Sequence, residues 1–363
     1  MSSELDESKA EEFSGRIFNA SIEALDVLGV YIGDRLGLYR ALSKDGTATV
    51  DELAERTQID PRYAREWLEQ QAVSGYLEVD DVSLPQDQRR YTLSAEHAAA
   101  VVDPDNPFSV APLARLLVSV AQTLPKVLEA FRTGGGVPWE DYGPDGIESQ
   151  GDFNRPWLVH QFGTEYLPSI PDVHERLQAD PPARVADVAC GVGWASIAIA
   201  KAYPKAVVEG FDLDESSIAI ARQIAADTGL DDRVRFEVRD VANRTRQEPY
   251  DLVVMIESLH DLSQPVPALV AIRESLAPDG VAIIADERVA DSFTAPGDEA
   301  ERLFYGISVV LCLPAGMADE SSAATGTVMR ASTMRTYALE AGFKDVEVLD
   351  LEHPMLRFYR LTQ

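Results

Sequence analysis

The residues most suited to chemistry lie between positions 187 and 261. Asp187-Val188-Ala189-Cys190-Gly191-Val192-Gly193-Trp194 sets two glycines one residue apart, a few residues beyond an acid. Lacking a Cβ, Gly191 and Gly193 let the backbone turn sharply and approach a ligand, and a helix opening at Trp194 would present its free N–H groups there. Asp187, just ahead of the turn, is placed to receive an ammonium group. Asp212 follows Gly193 by 19 residues, the spacing at which a carboxylate accepts both hydroxyls of a ribose. Asp240, in Arg239-Asp240-Val241, stands where an adenine amino group would be read. A dinucleotide and a nucleoside-type cofactor both fit so far, but a dinucleotide fingerprint wants Gly or Ala at position 196, where this chain has Ser196. Further on, Glu257-Ser258-Leu259-His260-Asp261 supplies an imidazole with acids on both sides, a group able to take a proton near neutral pH.

These residues need elements to hold them, and the pattern supplies an alternation. Strands are expected at 185–188, 207–211, 234–238, 252–256 and 281–285, with helices at 194–203, 216–228 and 266–276 between them. Such an order implies a parallel sheet covered by helices on both faces, with ligands at the carboxyl ends of the strands. Asp187, Asp212, Asp240 and the 257–261 segment all fall at those ends.

The texture divides the chain into residues 1–103, 104–180 and 181–363. In the first zone Ile17 to Leu42 carries apolar residues around most of a helix circumference, more than a small domain can cover. Thr49 caps a short helix, Asp60-Pro61 opens another that runs to Val73, and residues 76–79 and 90–93 pair as a hairpin. This is the outline of a winged helix. Arg62 and Arg65 are offset by Asp60, Glu66 and Glu69, so the expected role is dimerisation and not DNA binding. The middle zone is helical and broken by Gly and Pro.

Together these motifs resemble the class I S-adenosylmethionine-dependent methyltransferases, whose first motif is usually Asp-x-Gly-x-Gly-x-Gly. Here Ala189 replaces the first glycine. Tyr250 to Met255 looks like the family's fourth strand, Leu276-Ala277-Pro278-Asp279-Gly280 like the helix end before its fifth, and Ala341-Gly342-Phe343 with two strands after it like its C-terminal antiparallel hairpin. With the N-terminal zone added, the chain resembles the bacterial winged-helix branch of the dimeric plant-type small-molecule O-methyltransferases. The resemblance implies a Rossmann-like α/β domain with an N-terminal α-helical, winged-helix-like dimerisation domain. It implies S-adenosylmethionine held by Asp187, Gly191, Gly193, Asp212, Leu213, Asp240, Val241 and Ile256, and His260 of the His260-Asp261 pair as general base. Glu257, Asp286 and Glu287 are the candidates for orienting that histidine. The family's next residues, Trp-Ser-Asp, are here Leu262-Ser263-Gln264. The expected acceptor is a small hydroxylated, aromatic metabolite, roofed by Trp139, Trp157, Phe162, Tyr166 and the apolar segment 291–330.

Composition agrees with an ordinary folded chain: 363 residues, 45% hydrophobic and 26% charged, enough for two domains with real cores. The net charge of -29 repels phosphate backbones, so nucleic acid is not an expected partner. Two cysteines, Cys190 and Cys312, form neither a disulfide framework nor a zinc site by spacing, and the expectation is a cytoplasmic protein without a metal. No apolar stretch is long enough to span a bilayer.

Overall fold

A computed structural model describes residues 5–242 and 249–363. The first four residues of the expected 1–103 zone therefore lie outside the described residues. The chain forms two compact units, divided between Val118 and Ser119.

In the first unit the expected helix over 17–42 is two helices, Glu7–Arg35 and Leu38–Asp45. The apolar pattern runs on through the break, but Gly37 turns left-handed at φ 71° and stops the first helix. Leu38, Tyr39 and Leu42 then enter a small core with Leu53, Trp67, Leu68 and Tyr91. The long helix leaves Phe18 and Leu25 each 66% exposed, with Ile22 and Leu28 beside them in sequence register. It is joined to this core where Trp67 Nε1 donates to the Gly29 carbonyl at 2.9 Å.

The caps sit where the sequence puts them. Thr49 and Glu52 close a reciprocal capping box on helix Val50–Thr57, and Asp60 caps helix Pro61–Val73. β1 (Glu78–Val79) and β2 (Tyr91–Thr92) form the short antiparallel wing, with Val79 opposite Tyr91. On helix Pro61–Val73, Arg62 is paired with Glu66, consistent with a face that offers little free positive charge.

The second unit is built on a seven-stranded sheet in the order β5-β4-β3-β6-β7-β9-β8. Its strands are β3 (Arg184–Val188), β4 (Val207–Asp212), β5 (Val234–Val238), β6 (Tyr250–Ile256), β7 (Leu276–Glu287), β8 (Asp345–Val348) and β9 (Leu356–Thr362). The first five are parallel; β9 runs antiparallel to β7 and β8. The alternation of each strand separates two cores: Val185, Val208, Leu252, Val254 and Ile283 face one layer of helices, and Ala186, Val253, Met255, Ala282 and Ile284 face the other. Helices Trp194–Ala202, Glu215–Asp227 and Pro265–Ser275 make the parallel crossovers.

One boundary departs from expectation. Residues 276–280 are not a helix end but the first part of β7, with Leu276 opposite Tyr250 and a register shift before Leu252 pairs with Val281. Among the described residues no helix is long and apolar enough to cross a membrane.

Candidate active site

β3 is followed by β4 on one side of the sheet and β6 lies on its other side, so the carboxyl ends of these strands splay at the topological switch point. A cavity of about 410 Å³ opens there. One wall comes from the loops after β3 and β4, with Asp187, Ala189, Cys190, Gly191, Asp212, Leu213 and Asp214. The other comes from the turn after β6, with Ile256, Glu257, Asp261 and Leu262, and from Trp139, Gln150, Asn154 and Ala315. Six lining residues are acidic, and among the described residues no lysine, arginine or histidine lines it.

The glycine turn is left-handed at Ala189, Gly191 and Gly193, with φ of 52°, 51° and 85°. Gly191 lines the cavity, and a Cβ built on it would meet nothing within 4 Å. Gly193 does something else: a Cβ there would lie 2.5 Å from the Phe236 ring, so it serves packing between the turn and β5 and does not line the cavity. Asp212 spans the turn from the end of β4, accepting from Gly191 N at 2.8 Å and from Asp214 N at 2.9 Å. Burial raises its pKa, and the neighbouring Asp214 adds to this against those hydrogen bonds. Leu213 beside it is 66% exposed.

Asp187 is 1% exposed, and one of its oxygens takes both the N–H (3.0 Å) and the hydroxyl (2.7 Å) of Ser196. Burial still pushes its pKa up to about 7. Ser196, which in the sequence only argued against a dinucleotide, is thus the residue that holds Asp187. Asp240 caps its own turn by accepting from Ala242 N at 2.9 Å, and neither it nor Val241 lines the cavity.

His260 stands on the short 3₁₀ turn Leu259–Asp261 and is 2% exposed. Its Nδ1 lies 2.8 Å from Asp286 and 2.9 Å from Glu287, both at the end of β7; its Nε2 lies 3.2 Å from Asp261. Burial alone would lower the imidazole pKa, but Asp261, Asp286 and Glu287 outweigh it and hold the pKa well above 6.5. Asp261, not His260, lines the cavity. Asp286 is drawn below the usual carboxylate range by His260 against the cost of burial, while burial raises Glu287 well above it.

Of the three acids expected to orient His260, Glu257 is directed elsewhere. Its backbone adopts φ 50°, and its carboxyl accepts from Asn154 Nδ2 at 2.8 Å and Gln150 Nε2 at 3.3 Å. No sequence signal marks those two amides, which lie over 100 residues away. Nor does any single out Cys312, whose Sγ joins His260 and Asp261 in a group of ligand-type atoms within 4.8 Å of one another; His260, Asp286 and Glu287 form a second such group. Burial pushes the Cys312 thiol up to about 12, so it is uncharged.

The expected aromatic roof is only partly present. Trp139 lines the cavity, whereas Trp157, Phe162 and Tyr166 do not. Trp157 packs edge-on to Phe162 at 5.6 Å, and Tyr166 stacks on Phe358 at 5.1 Å, with His353 between the rings. Their apolar surface is used in the core. His174 is likewise structural, its Nδ1 2.9 Å from the Tyr203 hydroxyl.

Residues 179–325 match the model of a family described as a methyltransferase domain, and residues 24–102 that of the Rv2258c-like winged HTH domain. The chain carries a methyltransferase domain. Trans-aconitate 2-methyltransferase of Streptomyces coelicolor is 32% identical over 139 residues, 38% of this chain and 43% of that protein. Malonyl-[acyl-carrier protein] O-methyltransferase of Halalkalibacterium halodurans is 24% identical over 33% of this chain and 44% of that one. The chain thus spans less than half the length of these curated relatives. Among solved structures, mitomycin 7-O-methyltransferase MmcR is 19% identical with a TM-score of 0.68, covering 98% of this chain and 99% of its own. Human N-acetylserotonin methyltransferase, in complex with SAM, is 15% identical with a TM-score of 0.71, covering 100% and 99%. The methyltransferase domain and the winged helix together have the fold of class I small-molecule O-methyltransferases.

Proposed function

We propose that the protein is an S-adenosylmethionine-dependent methyltransferase that acts on a hydroxyl oxygen of a small, aromatic acceptor and works as a cytoplasmic homodimer. The observation that carries the reading is the cavity itself: a glycine turn and a strand-end carboxylate on one wall face the Asp261-His260 pair on the other. The open space above Gly191, the exposed Leu213 and the Asp212 carboxylate fit a nucleoside with a ribose. When bound, S-adenosylmethionine supplies an electrophilic methyl group on sulfur. Asp212 and Leu213 would hold its nucleoside, Gly191 would let the backbone come close, Asp187 would take the ammonium and Ile256 would border the rest, whereas Asp240 and Val241 stand outside the cavity lining.

The chain's own part of the reaction is alignment and proton removal. A phenol with a pKa of about 10 must lose its proton to react near neutral pH. Asp261 is the member of the pair in reach of the acceptor. His260 sits behind it, its ring held by Asp286 and Glu287, with Nε2 against the Asp261 carboxyl. This modifies the simplest sequence reading, in which His260 itself takes the proton: a histidine that is buried, stands outside the cavity lining and has acids against both ring nitrogens acts through its partner.

The direct test is transfer of labelled methyl from S-adenosylmethionine to a panel of phenols by the pure protein. Selective binding of NAD, or no binding of S-adenosylmethionine or S-adenosylhomocysteine, would overturn the reading.

A further inference from the structure

Glu257 is a cavity-lining carboxyl that the mechanism does not use. It belongs to the turn after β6, opposite the cofactor wall, and it is separated in function from His260 because its carboxyl accepts from Asn154 and Gln150. The position is strained: a glutamate at φ 50° costs of the order of 1–2 kcal/mol, which the surrounding fold must impose. Two amides and a left-handed backbone thus hold one acid on the cavity lining.

The charge around it has one sign. Glu140 and Asp261 also line the cavity, and among the described residues no cation lines it. His260 is buried against Asp261, Asp286 and Glu287 and does not line the cavity, so it is not in reach as counter-ion to an acceptor. Sites built for carboxylates or phosphates present arginine or lysine forks, and like charges brought together disfavour binding strongly.

We propose that Glu257 is a specificity residue that receives a protonated amine on the acceptor, so that the substrate class is a hydroxylated aromatic amine. This deepens the methyltransferase reading and rests on it. Glu257 forms a charge-assisted hydrogen bond with the ammonium, Asn154 and Gln150 fix its carboxyl, and Trp139 and Leu262 supply apolar wall. Burial raises the carboxyl to about 7, and an ammonium in contact would favour its charged form.

The experiment uses sets of hydroxyaromatics that differ only in one side group: an aminoethyl, an ethyl or a carboxymethyl substituent. The full-length protein and Glu257→Gln are compared by methyl transfer and, with S-adenosylhomocysteine bound, by ligand-observed saturation-transfer NMR. The amine member should exceed the carboxylate in kcat/KM by at least about tenfold, and Glu257→Gln should remove most of that ratio. Both proteins should bind S-adenosylmethionine and S-adenosylhomocysteine alike in calorimetry. A preferred carboxylate, a ratio unchanged by the substitution, or a selective loss of S-adenosylmethionine affinity overturns the assignment, the last by placing Glu257 against the cofactor. If no compound is methylated, the activity reading fails, yet NMR binding of the amines that depends on Glu257 still supports the assignment; absent or charge-blind binding overturns it.

Discussion

Asp187→Asn should make the free protein more stable while weakening its hold on the cofactor. The wild-type carboxyl is 1% exposed and titrates at about 7 instead of 3.8, because burial outweighs the two hydrogen bonds from Ser196. A raised acid binds its proton more tightly in the folded state than in the unfolded one. Between pH 4 and 7 the folded protein therefore carries more protons, and stability falls as pH rises through that window. A shift of about three units corresponds to roughly 4 kcal/mol lost by pH 8. Asparagine keeps the shape and one oxygen to accept from Ser196 but never has to ionise. Its neutral hydrogen bonds are weaker, so the expected net gain is about 2–3 kcal/mol at pH 8, shrinking toward zero at pH 4. Urea titrations of both proteins at pH 4.5, 6 and 8 read this directly. If the carboxylate receives the cofactor's ammonium, calorimetry should show the variant losing about 1.5–3 kcal/mol of S-adenosylmethionine affinity, and wild type should release a proton on binding at pH 6. Stability profiles that superimpose, or a variant less stable at pH 8, would refute the view that Asp187 is a costly buried charge.

Asp212→Ala should weaken S-adenosylmethionine and S-adenosylhomocysteine alike by about 1.5–3 kcal/mol, since a charged acceptor is lost; equal calorimetric affinities would remove Asp212 from the site. His260→Gln should leave cofactor affinity nearly intact and lower turnover by about 100 to 10,000-fold, less for acidic phenols; because its carboxylate neighbours hold His260 well above its ordinary pKa, wild-type activity should show no inflection near 6.5. The same raised pKa contributes folding stability that is complete below about pH 6.5 and lost as pH climbs through the folded value, a decline that His260→Gln should flatten in thermal unfolding. Ala189→Gly should stabilise by about 0.5–1 kcal/mol, relief of the left-handed penalty less the entropy of glycine; a destabilised variant would contradict the turn geometry. Light scattering should give twice the chain mass for wild type, and Phe18→Asp with Leu25→Asp on the exposed face of helix Glu7–Arg35 should give monomers.

What was legible in the sequence was what is encoded locally. Capping signals at Thr49 and Asp60, the apolar alternation of the strands and the 19-residue step from Gly193 to Asp212 each act over a few residues or one crossover, and each appears in the structure. The break at Gly37 was hidden because apolar residues continue through it. Side-chain partners were legible only where neighbours in sequence stay neighbours in space. Asp286 and Glu287 reach His260 because β6 and β7 are adjacent and end together. Glu257, three residues from His260, does not, because the left-handed turn at φ 50° directs it toward Asn154 and Gln150 on helix Gly143–Trp157. No local pattern marks two amides for that task. The aromatic residues 157, 162 and 166 were misplaced for the converse reason: ring type signals burial, and burial in a core satisfies it as well as burial against a substrate.

The described residues hold four non-glycine positions with positive φ, Gln58, Ala189, Glu257 and Ala324, and two of them line the cavity. They end β3 and β6, the two central strands whose carboxyl termini define the switch point. The same small region contains Asp187 and Glu257, whose carboxyls burial raises to about 7, and the His260 cluster, in which one imidazole lies against three acids. The left-handed positions and the two raised acids cost free energy in the isolated chain, whereas buried Glu301, elsewhere in the second unit, is paired with Arg330 at 3.0 Å. Strain and buried charge collected at one place are what a folding requirement alone would remove. On the proposed function, the acids would be offset by ligands that carry positive charge: a sulfonium and an ammonium on one wall and, by the chemistry proposed for Glu257, an amine on the other. A cavity whose described lining holds six acids and no cation is complementary to such ligands, and on this reading its free state is the one that bears the cost.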